Sequence, residues 1–172
     1  KDPEARRKLD DLLLRADVVV ENFTPGAMKK LGLDYENLRK LNPEVIYCSI
    51  SGFGQTGPYS NRKAYDSIVQ AISGVMSITG APDGPPQRSG LMFADLSGAM
   101  YAFSSIMTSL FARERTGKGT YIDLSMSDAL LSLYSTNAAE FMAVGKPPRR
   151  AGSENPGRSP TGSYLCSDDK YI

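Results

Sequence analysis

Short continuous apolar runs alternate along this chain with stretches whose apolar residues recur every three or four positions. Continuous runs suit strands buried on both faces, and the 3.6-residue period suits helices packed on one side. Asp2-Pro3 opens the first helical stretch, which carries Leu9, Leu12, Leu13 and Ala16 on one face. Asp favours the N-cap and Pro the first helical position. Asp17 ends that stretch, and Val18-Val19-Val20 predicts a short buried parallel strand. Asn22 to Gly26 predicts a loop at its carboxyl end, followed by helical turns over Met28 to Leu31 and Asp34 to Leu41. Pro43 punctuates, and Val45 to Ile50 predicts a second buried strand. Helix, strand, helices, strand is the order of an α/β domain with a parallel sheet.

Gly52 to Pro58 follows as a glycine-rich loop. It lacks the G-x-G-x-x-G spacing and the Walker lysine, so it is weak evidence for a phosphate cradle. Tyr65 to Ser73 predicts a helix with Ile68, Ala71 and Ile72 inward, and residues 79–90 a loop rich in Pro and Gly. The clearest periodicity begins after Asp95. Phe103, Ile106, Met107, Leu110 and Phe111 fall at i, i+3, i+4, i+7 and i+8, the stripe of an amphipathic helix. Ser97, Ala99, Ser104, Ser105, Thr108 and Ala112 occupy its other faces. Small residues on several faces predict close packing all round, and hence a central helix. Thr116-Gly117 ends it, with Gly suited to a left-handed cap. Tyr121 to Met126 predicts a strand, and Ser127 the cap of a helix running to about Val144. Residues 146–172 read as a linker or crossing segment, with the start of a hairpin from Tyr164.

Composition narrows the chemistry. The 172 residues suffice for one domain with a core. A net charge of +1 provides no global field toward nucleic acid or acidic membranes. Basic residues cluster at Arg113, Arg115 and Lys118, and at Lys146, Arg149 and Arg150; near helix ends they suit the macrodipole. No run of about 18 apolar residues exists, so no membrane span is expected. Cys48 and Cys166 lie outside any C-x-x-C motif, in β-type apolar runs. Buried free thiols in a reducing, cytoplasmic compartment are expected. The chain contains no His, which removes the commonest general base near neutral pH and the commonest metal ligand. A metal site is therefore not expected. Lys1 at the start, without Met, and the strand-like Lys170-Tyr171-Ile172 at the end predict a portion of a longer protein.

Asp95 stands directly before the long helical stretch, and two roles are open to it. Asp is a preferred N-cap, stabilising by about 1 kcal/mol. Alternatively, Ser97 and Gly98 supply the cap and first turn, and the apolar approach Gly90-Leu91-Met92-Phe93-Ala94 partly desolvates the carboxylate. Such surroundings raise a carboxyl pKa. A carboxylate kept ionised in a dry site is a nucleophile, and helix N–H groups beside it stabilise developing negative charge.

Val20-Glu21-Asn22-Phe23-Thr24-Pro25-Gly26, followed by Leu31-Gly32-Leu33, resembles the VENFxPG…LG(L/F) signature of the family III CoA-transferases. Further matches follow in the same order. They include Leu41-Asn42-Pro43, Ser51-Gly52-Phe53-Gly54, Tyr65-Asp66, Asp83-Gly84-Pro85-Pro86, Ala94-Asp95 and Arg115-Thr116-Gly117-Lys118-Gly119. The resemblance covers nearly the whole chain. It implies a Rossmann-like sheet flanked by helices, an incomplete large domain over 1–172, with coenzyme A or acyl-CoA and a carboxylic acid as substrates. It also implies an interlocked homodimer.

In that family an aspartate attacks an acyl-CoA thioester and CoA passes to an acceptor acid through anhydride and aspartyl-CoA intermediates. The matching position is Asp95. The family's CoA contacts match Asn22, Phe23 and Lys30, the run Lys63, Ala64, Tyr65 and Asp66, and Lys1. By chemistry, Lys30 and Lys63 suit CoA phosphates, and Phe23 suits adenine or the pantetheine arm. Alone, either Lys is equally a solvated surface charge, and Asn22 a turn residue. The related α-methylacyl-CoA racemases use a His–Asp pair, and Tyr65 stands where their His falls. Proton exchange at an α-carbon needs two opposed acid/base groups, so transferase is favoured over racemase. The glycine loop of formyl-CoA transferases has no clear match; Gly152 to Gly162 is the nearest stretch, so formate–oxalate specificity is not supported. A non-catalytic CoA-binding or assembly fragment is the alternative to an enzyme.

Overall fold

Three strands form one parallel sheet in the order β1 (Val18–Glu21), β2 (Ile46–Ser51), β3 (Thr120–Ser125). Val18 pairs with Ile46, and Ile46 with Thr120. The computed structural model describes residues 2–172. Central β2 is covered on both faces because neighbouring residues point oppositely. Tyr47 joins Val19, Leu38 and Val45 on one side, packed by Leu13, Ala16, Met28 and Tyr35. Cys48 joins Ala102 and Leu124 on the other, packed by Ile50, Ile106 and Ile122. Helices α1 (Pro3–Leu13), α2 (Ala27–Leu31) and α3 (Tyr35–Leu41) thus lie across the sheet from α6 (Phe93–Thr116). The α/β, parallel-sheet architecture expected from the pattern is the one observed.

Edge strand β1 departs from expectation. Val19 and Glu21 are buried while Val20 is 53% exposed, so this strand is covered on one face only. In α1, Asp2 Oδ1 accepts the Glu4 N–H at 2.9 Å, the expected cap. Leu9 and Leu12 are exposed, so α1 packs through Leu13 and the following Ala16.

Helix α6 starts at Phe93, two residues before Asp95. Asp95 is therefore in the first turn and is not the cap, and neither are Ser97 and Gly98. Its packing also reverses the expectation. Ala94, Ser97, Gly98, Ala102 and Ser109 are buried, whereas Phe103, Met107 and Phe111 are exposed. Close approach explains this: a Cβ on Gly98 would stand 3.2 Å from Met126 Cγ and 3.7 Å from Leu124 Cδ2. The small face meets the sheet, Ile106 packs beside it, and the large apolar stripe points away.

Helix α4 (Asp66–Ile72) is turned likewise. Asp66, Val69 and Gln70 are buried and Ile68, Ala71 and Ile72 are exposed, opposite to the predicted face. Helix α5 (Val75–Ile78) follows. The helix expected from Ser127 to Val144 breaks at Tyr134 into α7 (Met126–Leu133) and α8 (Ser135–Val144). The Tyr134 hydroxyl donates to the Ser73 carbonyl, which anchors the break. Ser125, not Ser127, caps α7, its Oγ accepting the Asp128 N–H at 3.2 Å.

The chain leaves α6 through Gly117 at φ 63°, and the Gly119 N–H donates to the Pro43 carbonyl at 2.9 Å. A Cβ at Gly119 would collide with the Val45 carbonyl oxygen. This turn puts the carboxyl end of α6 at the amino edge of the sheet. Its amino end, with Asp95, stands at the carboxyl edge. Beyond α8, Arg150 donates to the carbonyls of Ser77, Ala81 and Gly84. Tyr164 and Ile172 exchange backbone hydrogen bonds in the expected hairpin. That hairpin lies outside the sheet, so Cys166 is exposed, contrary to expectation, while Cys48 is buried. Among the described residues no helix is long and apolar enough to cross a membrane.

Candidate active site

Parallel strands deliver their following loops to one sheet edge, where ligands of open α/β sheets bind. Three groups of predicted residues reach it. After β1 come Asn22 and Phe23, both exposed. The buried Glu21 carboxylate holds that turn, its Oε2 accepting the Phe23 N–H at 2.8 Å. Lys30 is exposed one turn into α2.

After β2 comes the glycine loop. Gln55 N–H donates to Asp123 Oδ1 at 2.9 Å and Oδ2 at 3.1 Å, which ties the loop to β3. Gly54 there has φ 82°, a conformation that favours glycine. Gly52 gives the segment Lys63 to Tyr65 room to approach, since a Cβ on it would collide with the Ala64 side chain. Lys63 and Tyr65 are exposed and Ala64 half-buried. Asp66, next along, is different: it is 7% exposed.

The third group is Asp95 itself. Asp66 Oδ1 accepts the Ala94 N–H at 2.9 Å across 28 positions of sequence. Asp66 thereby joins the Lys63–Asp66 run directly to the first turn of α6. Asp95 is exposed. Its carboxyl nevertheless sits above the usual aspartate range, first through partial desolvation and second through the negative charge of Asp66. The apolar approach residues Leu91, Met92 and Phe93 are themselves exposed. A more basic carboxylate is suited to attack on a carbonyl carbon.

A family model described as CoA-transferase family III matches residues 1–172. The chain belongs to that family. It is 46% identical over 173 residues to an acetyl-CoA:oxalate CoA-transferase of Acetobacter aceti, covering 100% of this chain and 44% of that protein. It is 45% identical over 160 residues to a succinate–glutarate CoA-transferase of Agrobacterium fabrum, covering 93% of this chain and 40% of that protein. Among solved structures, a CaiB/BaiF family protein from Brucella suis superposes with a TM-score of 0.92 at 42% identity. That alignment covers 99% of this chain and 45% of the Brucella chain. The chain thus spans less than half the length of these relatives.

For this family III chain, Asn22, Phe23, Lys63, Ala64, Tyr65, Asp66 and Asp95 share one sheet edge, with Lys30 one turn behind it. Asp66 bridges the last two groups, while Asn22, Phe23 and Lys30 stand on the β1 side of β2. Lys1 lies outside the described residues. Three polar residues that sequence reasoning passed over organise the loops: the buried Glu21 and Gln70 and the exposed Asp123. For Gln70 the signal was present: Asp66 and Gln70 are four apart, the spacing of side-chain partners on one helix face.

Proposed function

We propose that the protein containing this chain transfers CoA from an acyl-CoA thioester to a carboxylic acid, with Asp95 as the nucleophile. The Asp95 carboxylate oxygen bonds to the thioester carbonyl carbon, and the C–S bond breaks with CoA leaving as thiolate. The thiolate attacks the Asp95 carbonyl carbon of the mixed anhydride, releasing the donor acid as a carboxylate and leaving an aspartyl-CoA thioester. The acceptor carboxylate attacks that thioester, and CoA leaves again as thiolate. Attack of the thiolate on the acceptor's carbonyl then releases the new acyl-CoA and regenerates Asp95. Every step exchanges one carbon–oxygen and one carbon–sulfur bond, and none requires His.

The observation that carries this reading is the placement of Asp95 in the first turn of α6, at the carboxyl edge of the sheet, with its carboxyl raised by desolvation and by Asp66. The relatives named as CoA-transferases support it. In this reading Phe23 lies along the cofactor with Asn22, Ala64 and Tyr65, while Lys30 and Lys63 pair with its phosphates. We assign the exposed stripe of α6 to a second copy of this chain, in a homodimer.

Incubation with an acyl-CoA and hydroxylamine tests the nucleophile. A hydroxamate located at Asp95 by peptide mass spectrometry is expected, and Asp95→Ala should abolish both it and turnover with a second acid. Unchanged turnover in Asp95→Ala would sink the assignment.

A further inference from the structure

Helix α6 has no cap of its own. Its N-cap residue is Met92, whose side chain makes no capping hydrogen bond. The acceptor comes instead from Asp66 in α4, through the 2.9 Å bond from the buried Ala94 N–H. The second Asp66 oxygen, Oδ2, accepts from Gln70 Nε2 at 2.7 Å. Arg88 Nη1 stands 3.9 Å from the same oxygen.

Gln70 is fully buried and grips the strand of chain that leads to Asp95. Its Oε1 accepts the Ser89 N–H at 3.0 Å, and its Nε2 also donates to the Leu91 carbonyl at 3.1 Å. Ser89 Oγ in turn accepts the Leu91 N–H at 3.2 Å. Both side chains of the pair are therefore committed inside the protein. One fixes the residue immediately before Asp95, and the other fixes the approach four to six positions before it.

We propose that Asp66, supported by Gln70, is the positioning residue for the Asp95 nucleophile, setting the first turn of α6 and the backbone that carries the reacting carboxylate. This rests on the reading of Asp95 as nucleophile. It gives Asp66 a task apart from contact with CoA. The charge of Asp66 adds a second effect. When Asp95 attacks, its oxygen bonds to the carbonyl carbon, the C–S bond breaks, the CoA thiolate carries away the negative charge, and Asp95 becomes part of a neutral mixed anhydride. The repulsion between two neighbouring anions disappears at that step, so Asp66 favours the acyl adduct over the free carboxylate.

Asp66→Asn separates these roles. It keeps the size and an acceptor for Ala94, removes the charge, and turns an amide N–H toward the donor already held by Gln70. In the enzyme containing this chain, hydroxylamine trapping at Asp95 under saturating acyl-CoA should slow by about 10-fold or more, the order expected of a misplaced reacting group. The CoA dissociation constant, from equilibrium dialysis, should stay within about 2-fold, far below the 1.4 kcal/mol of a tenfold change. Gln70→Leu releases the approach while leaving the Asp66 charge and its bond to Ala94 in place. It should also slow trapping without changing CoA affinity, and it carries the test if Asp66→Asn does not fold. Unchanged trapping in the variant that folds overturns the proposal. So does a CoA affinity weakened tenfold with trapping unchanged, which would make Asp66 a cofactor contact. If the wild-type enzyme forms no hydroxamate at Asp95, the nucleophile reading fails first and this inference fails with it.

Discussion

Gly52 lies so close to Ala64 that a Cβ on the glycine would overlap the alanine methyl. The end of β2 and the segment Lys63–Tyr65 meet there, and Val69 Cγ2 stands 3.7 Å away on the core side. Gly52→Ala must push the segment outward. The expected cost is about 1–3 kcal/mol of folding stability, the usual price of overpacking. CoA affinity should fall about tenfold, equivalent to 1.4 kcal/mol. Chemical denaturation and equilibrium dialysis measure the two effects separately. A destabilised variant with full CoA affinity would remove Lys63–Tyr65 from the cofactor site.

Asp95 predicts a pH dependence of definite sign. In the proposed mechanism only its ionised form attacks, and its carboxyl is raised. The acid limb of kcat/KM should therefore lie above the usual aspartate range, and activity should fall as pH drops through it. Stability runs the other way. A carboxyl that binds its proton more tightly in the folded state stabilises the fold at low pH and loses that contribution as pH rises. Asp95→Asn should melt at or above the wild-type temperature at neutral pH, with the gap closing in acid. A variant that melts lower at neutral pH would make Asp95 a structural residue.

Arg113 clamps the far end of α6. Its side chain is mostly buried and pairs with Asp17 Oδ1 at 2.8 Å, while Nη1 donates to the carbonyls of Asp17 and Glu44 at 3.4 and 3.2 Å. The Asp17 carboxylate is well exposed, so the ion pair itself is worth less than about 1 kcal/mol. The carbonyl contacts of a charged donor matter more. Arg113→Ala should lose about 1.5–3 kcal/mol and Asp17→Ala less than about 1 kcal/mol, both measured by urea titration. Equal losses would assign the clamp to the ion pair instead.

The outer stripe of α6 predicts association. Phe103 is 65% and Phe111 61% exposed, with Met107 between them. Aromatic residues at such positions often dominate interface energy. Sedimentation should show dimers, and Phe103→Asp should weaken dimerisation by about 2 kcal/mol or more. A wild-type monomer at micromolar concentration would count against the homodimer.

Much of the architecture was legible because local signals and tertiary structure agree. Asp2-Pro3 marks the true start of α1, Gly117 takes the left-handed conformation at the end of α6, and the apolar runs fall on the three strands. Facing was not legible in α4 and α6. Periodicity identifies a stripe but does not say whether that stripe meets the sheet. Gly98 and Ala102 show why it does not in α6: at this distance only small residues fit, and the bulky ones are left outside. Sequence alone also singled out Asp95 and the loop after β1, and both lie at the carboxyl edge of the sheet. The internal scaffold of the site was legible only where partners are near in sequence, as for Asp66 with Gln70; the bonds from Gln70 to Ser89 and Leu91 and from Asp123 to Gln55 are joined only by folding.

Helix α6 spans 24 residues, a rod of about 36 Å at 1.5 Å per residue. Arg113 bolts one end to the start of β1 and β2, and Asp66 holds the other end over the opposite rim. A rod secured at both ends couples length to orientation. Each residue added or removed between Ser97 and Arg113 would rotate Asp95 by about 100° about the helix axis. Substitutions along the outer surface leave that angle untouched, whereas a single-codon insertion or deletion would aim the carboxylate in a different direction. The spacing from Asp95 to Arg113 is thus a gauge for the direction of the carboxylate, set by counting residues and not by their identity.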